Sequence, residues 1–110
     1  MLVRRAWHTR RQDEARLSRA RAGALRVLRA GLEEGTIERA WLIGSAAWGR
    51  AHGRSDVDVV VAGIPRDRTG ALWDRLSQAC GLDVDLLRFE ELEPRFRERV
   101  LSEGLEVHGS

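Results

Sequence analysis

Residues 44–61 read Gly44-Ser45-Ala46-Ala47-Trp48-Gly49-Arg50-Ala51-His52-Gly53-Arg54-Ser55-Asp56-Val57-Asp58-Val59-Val60-Val61, and this run decides the fold. From Asp56 onward it alternates acid with valine and is dense in β-branched residues, the pattern of a strand, which Gly63 and Pro65 then close. Just upstream, Ile37 to Ile43 forms a second short apolar segment that ends at Gly44-Ser45. A glycine-rich connection therefore joins two strands, and its two ends carry a serine and a pair of carboxylates.

Further out, the periodicity changes. Leu17, Ala20, Ala24, Leu25, Leu28 and Leu32 recur at steps of three and four, which predicts an amphipathic helix over 13–33 with Gly35 as its stop. Downstream, Leu72, Trp73, Leu76 and Cys80 lie on one stripe of a predicted helix over 67–80 that Gly81 ends. Leu82 to Phe89 reads as a third strand. A third helix spans 90–103, with Leu92, Phe96 and Val100 at four-residue steps and Pro94 in its first turn, where the missing N–H costs little. Leu105 to His108 is a short last strand. The order α-β-β-α-β-α-β predicts an α/β (α+β) fold, a small mixed sheet with helices on one face.

Length and composition bound the function. One domain fits 110 residues, and 43% hydrophobic with 33% charged residues is the balance of a folded chain. No apolar run approaches the roughly 20 residues of a membrane span, and the start of the chain has no continuous apolar leader. The single Cys80 excludes an intrachain disulfide and reads as a buried apolar residue. A cytoplasmic location is the expectation. Charge is unevenly placed: residues 1–30 hold nine arginines and two acids, whereas 31–110 hold ten arginines and fifteen acids. The organisation expected is a basic N-terminal segment, 1–12, ahead of one domain, 13–110.

The chemistry lies in G-S-x10-D-x-D. Side chains two apart on a strand share a face, with Cα atoms roughly 6.5–7 Å apart. Asp56 and Asp58 then face one way while Val57, Val59 and Val61 enter the core. Two carboxylates this close repel unless a cation lies between them. A third acid from a neighbouring strand, about 4.8 Å away, would complete an oxygen cage for Mg²⁺. Asp83 and Asp85 both occupy such a strand on one face, and periodicity does not choose between them. Gly44 after a strand lets backbone N–H groups approach a phosphate, and Ser45 adds a hydroxyl. These parts describe metal-assisted phosphoryl or nucleotidyl transfer. Singly, each is weak: D-x-D often decorates an exposed strand, and G-S is usually a turn. Their conjunction in order carries the reading.

Gly44-Ser45, Gly49, Ser55-Asp56-Val57-Asp58-Val59-Val60 and Val84-Asp85-Leu86-Leu87 resemble the minimal nucleotidyltransferase domain of the polymerase-β-type superfamily, over about residue 17 to the end. That resemblance implies a nucleotidyltransferase-like fold in which Gly44, Ser45, Arg50 and Ser55 hold the nucleotide. It also implies that Asp56, Asp58 and Asp85 are the metal-binding and catalytic acids, and it selects Asp85 over Asp83. The implied cofactor is Mg²⁺, as two ions, with ATP as substrate. Trp48 stands where many members carry a basic residue; it reads as loop packing, with base stacking as the alternative, and Arg50 and Arg54 supply positive charge nearby. Stand-alone members imply a HEPN toxin as partner in a hetero-oligomer, with transfer of AMP to a toxin tyrosine as the antitoxin activity. The alternatives are a non-catalytic antitoxin that acts by binding, and a small-molecule, antibiotic-type transferase. Direct nucleic-acid binding is not expected: the first helix has an arginine face but no aromatic stacking series. His8, His52 and His108 have no metal-ligand spacing.

Overall fold

The computed structural model describes residues 2–43 and 57–109, with side chains from residue 15 onward. The elements are α1 (Leu2–Glu34), β1 (Arg39–Ile43), β2 (Val57–Ala62), α2 (Thr69–Cys80), β3 (Val84–Arg88), α3 (Pro94–Glu103) and β4 (Leu105–Val107), with short 3-10 turns at Arg66–Arg68 and Phe89–Glu91. The four strands lie in the order β3-β2-β1-β4. β1 pairs antiparallel with both β2 and β4, while β2 and β3 run parallel. The sheet is mixed, as the sequence implies.

α1 is longer than the pattern indicates: it begins at Leu2 rather than near residue 13 and takes in the basic segment. No glycine or proline interrupts residues 2–22, so the backbone has no reason to stop. Arg10 and Asp13 break the apolar stripe there, which hides the helix from a periodicity count. The other end is well marked. Gly35 takes φ 78°, a conformation that glycine adopts without strain. The Thr36 hydroxyl and backbone N–H then donate to the Gly31 carbonyl at 3.1 and 2.9 Å, which satisfies a group the helix end would orphan.

Alternation along the strands builds two layers. Ala40, Leu42, Val57, Val59, Val61, Val84 and Val107 face α1 and α2, where Ala20, Ala24, Leu28, Leu72, Leu76 and Cys80 close the main core. Cys80 is buried, and that burial raises its thiol pKa. Trp41, Ile43 and Val60 face the other way and are covered by Val100 of α3, with Leu87, Phe89 and Phe96 around them. α3 thus adds cover on a second face to the one-sided packing read from the sequence. Val60 is the cause, since it breaks the acid–valine alternation and needs burial. Trp41 stacks on Phe89 at 5.0 Å. Its ring also lies under Arg39, 4.7 Å away, and Arg39 grips Glu106 with two bonds of 2.9 and 2.8 Å. That grip holds the Glu106 carboxyl below its ordinary pKa. The pair fastens β4 to β1, but Arg39 is exposed and Glu106 only half-buried, so it contributes about 1 kcal/mol at most.

α1 and α2 approach closely because residue 23 has no side chain. A Cβ at Gly23 would sit 2.4 Å from the Ala79 carbonyl oxygen and 2.8 Å from its carbon. Helix propensity alone favours alanine over glycine by about 1 kcal/mol. Overpacking against a backbone that cannot rotate away costs about 1–3 kcal/mol, so the clash decides the sign. Gly23→Ala is expected to lower the urea-unfolding free energy by about 1–2 kcal/mol. Gly70→Ala, where nothing lies within 4 Å, should hold it or raise it.

Candidate active site

The sheet's second face is apolar toward Arg88 and acidic toward the other end. Asp58 and Asp85 are register partners on the parallel strands β2 and β3, so their side chains stand on one face, a strand spacing of about 4.8 Å apart. On the other side of Asp58, β1 contributes Ile43. Asp58 is only 2% exposed, the sole buried charged side chain among the described residues. A carboxylate is expensive to bury unless it is paired, hydrogen-bonded or bound to a cation. Asp58 stands in a strand otherwise made of valine and alanine.

Asp85 is half-buried within β3, whereas Asp83 is exposed and precedes the strand. The Asp83 carbonyl accepts the Val57 N–H at 3.1 Å and so extends the ladder beyond the acid pair. The geometry therefore distinguishes two residues that periodicity treats alike. Gly44, Ser45, Arg50, Ser55 and Asp56, together with Trp48, Gly49, His52 and Arg54, lie outside the described residues. What the fold does fix is the place where that segment leaves and returns. The chain exits β1 at Ile43, opposite Asp58, and re-enters at Val57, beside it.

One contributor was not legible as such. Trp73 counts toward the apolar stripe of α2 by spacing, yet it is 45% exposed. Its indole N–H donates to the Val84 carbonyl at 2.9 Å, one residue before Asp85. The bond ties α2 to the start of β3 and helps hold the strand that carries the acid. A tryptophan at the edge of a helical stripe is the only sequence signal for such a tie.

Hard carboxylate oxygens on adjacent strands suit Mg²⁺. The described residues contain no group of three metal-ligating side chains. When bound, a divalent ion there would offset the charge of a triphosphate and polarise its phosphorus.

A mixed sheet with an acid pair on adjacent strands, beside the ends of the strand-to-strand connection, defines a nucleotidyltransferase-type fold. The chain belongs to the polymerase beta nucleotidyltransferase family, whose model matches residues 29–110. It is similar to a solved structure described as a minimal nucleotidyltransferase, at 33% identity over 81% of this chain and 93% of that one, with a TM-score of 0.61. It shares its fold with a mutant of the toxin–antitoxin MntA-HpeT (20% identity, 72% and 67% of the two chains, TM-score 0.53). A toxin–antitoxin with AMP-PNP also shares the fold (22% identity, 78% and 73%, TM-score 0.56). No curated protein sequence matches the chain. No described helix is long and apolar enough to cross a membrane.

Proposed function

We propose that the protein is an Mg²⁺- and ATP-dependent adenylyltransferase that moves AMP onto a hydroxyl of a HEPN-type toxin and thereby acts as its antitoxin in the cytoplasm. The observation that carries this reading is the buried Asp58 held directly across from Asp85. Membership of the nucleotidyltransferase family supplies the reaction class, and the fold shared with toxin–antitoxin structures, one of them with AMP-PNP, supports the partner and the nucleotide.

The transfer breaks the bond between the α-phosphorus and the oxygen leading to the β-phosphate, and pyrophosphate leaves. The acceptor oxygen forms the new bond to the α-phosphorus and gives up its proton. Asp85, on a different strand from the proposed metal pair Asp56 and Asp58, is assigned to accept that proton. Asp58 is assigned to cation binding, with Gly44, Ser45, Arg50 and Ser55 on the nucleotide. In-line placement of the hydroxyl provides much of the acceleration in such transfers, which favours an acceptor delivered by a docked protein over one that diffuses freely.

The chain has no tyrosine, so a tyrosyl adduct has to form on the partner. Incubation with the partner, ATP and Mg²⁺ should raise the partner's intact mass by one AMP residue and leave this chain unchanged. An unmodified partner that is nonetheless inhibited in a stable complex would replace transfer with binding as the antitoxin activity.

A further inference from the structure

We infer that α1 is the protein's docking surface, and that it takes an acidic segment of the partner protein along the groove lined by Leu17, Ser18, Arg21, Ala22 and Leu25. The inference rests on there being a protein partner, but not on AMP transfer.

α1 is the longest element of the fold. Its 33 residues span about 50 Å, matching the molecule's 50 Å long axis, while the other two extents are 28 and 25 Å. Among the described side chains of α1, the first buried one is Ala20. None of residues 15–19 is buried in the domain.

The charges on α1 do not serve the helix itself. A helix favours acids in its first turn and bases in its last. α1 has neither: Arg4 and Arg5 lie near its start and Glu33 and Glu34 at its end. Nor do the arginines serve the rest of the domain. Arg16, Arg19, Arg21, Arg26 and Arg29 are all exposed, and none forms an ion pair among the described residues. Elsewhere Arg39, Arg66, Arg88 and Arg99 each hold a glutamate. A ridge of positive charge left open in this way attracts an acidic surface and speeds encounter with it.

The groove chooses between a protein and a nucleic acid. Leu17, Ala22 and Leu25 give it an apolar floor and Arg21 a charged wall, the apolar-and-charged layout of a protein interface. A single-stranded nucleic acid would instead call for a series of stacking aromatics, and Trp7 is the one aromatic residue in α1.

The test measures binding of the purified partner by biolayer interferometry at several salt concentrations. Arg19→Glu/Arg21→Glu/Arg26→Glu should weaken binding on the order of a hundredfold and flatten its salt dependence. The charge-matched control Arg68→Glu/Arg75→Glu/Arg95→Glu should stay within about threefold of wild type. Ala22→Trp, which fills the groove without changing charge, should weaken binding as well, and unchanged melting curves would show that each variant folds. Wild-type affinity in the α1 triple variant, or an equal loss in the control, overturns the inference. So does a wild-type chain that fails to bind the partner. Loss of binding to a short single-stranded RNA, with partner binding intact, also overturns it and turns the surface over to nucleic acid. Binding that depends on α1 without AMP transfer keeps the docking surface and removes the transferase reading alone.

Discussion

Asp58→Asn should abolish metal-dependent nucleotide binding and lower AMP transfer about a thousandfold while the fold survives, the several kcal/mol that a catalytic metal contributes. Asparagine has the shape of aspartate, so the buried position between Ile43 and Asp85 stays filled. What it loses is the negative charge that binds the cation. Calorimetry should show ATP binding in the presence of Mg²⁺ for the wild type and a marked loss for the variant. A thermal melt offers a readout independent of activity. Ligands that bind only the folded state stabilise it by mass action, so Mg·ATP should raise the wild-type melting temperature and leave that of Asp58→Asn unmoved. Asp56→Asn should behave in the same way, as the other member of the pair. Unchanged Mg·ATP binding in the double variant would remove both residues from the site.

The element order was legible in the sequence because each element announces itself locally. β2 shows alternation, α2 and α3 show three- and four-residue spacing, and Gly35 and Gly81 mark helix ends with positive φ. Three things were not local. The extension of α1 back to Leu2 is hidden by Arg10 and Asp13, which interrupt the apolar spacing. The role of α3 on the second face depends on Val60, whose need for cover appears only once β2 is seen between β1 and β3. The choice between Asp83 and Asp85 is a question of register between strands more than twenty residues apart in sequence, and a shift of one residue would turn every side chain over. Spacing placed both acids on one face, and the resemblance to the minimal nucleotidyltransferases selected Asp85. Cross-strand pairing supplies the physical distinction: Asp85 faces Asp58, and Asp83 lies beyond the end of the strand.

That register leads to the second large effect. Asp85→Asn should lower the rate of AMP transfer by on the order of a hundredfold to ten-thousandfold, the range that a general base contributes. The apparent dissociation constant for Mg·ATP should move far less, within about tenfold, the lower end of what the loss of an outer partner of a metal site costs. The asymmetry follows from position. Asp58 and Asp56 belong to one strand by sequence, and together they are assigned to the cation. Asp85 reaches the same face from β3, the edge strand, where it is half-buried and more open to solvent than Asp58. Its loss therefore withdraws an interaction made as the proton leaves the acceptor, which depresses kcat with little change in ground-state binding. Single-turnover transfer from Mg·ATP to the partner, set beside calorimetric binding of Mg·ATP, separates the two quantities. Asp83→Asn is the control: it lies outside β3 and is exposed, and its carbonyl bond to Val57 does not use the side chain, so rate and binding should both stay near wild type. An inactive Asp83→Asn beside a normal Asp85→Asn would move the third acid one place along the sheet and show that the segment before β3 reaches the acceptor. Equal losses of rate and affinity in Asp85→Asn would instead make it a third ligand of the ground-state ion and leave the proton to another group.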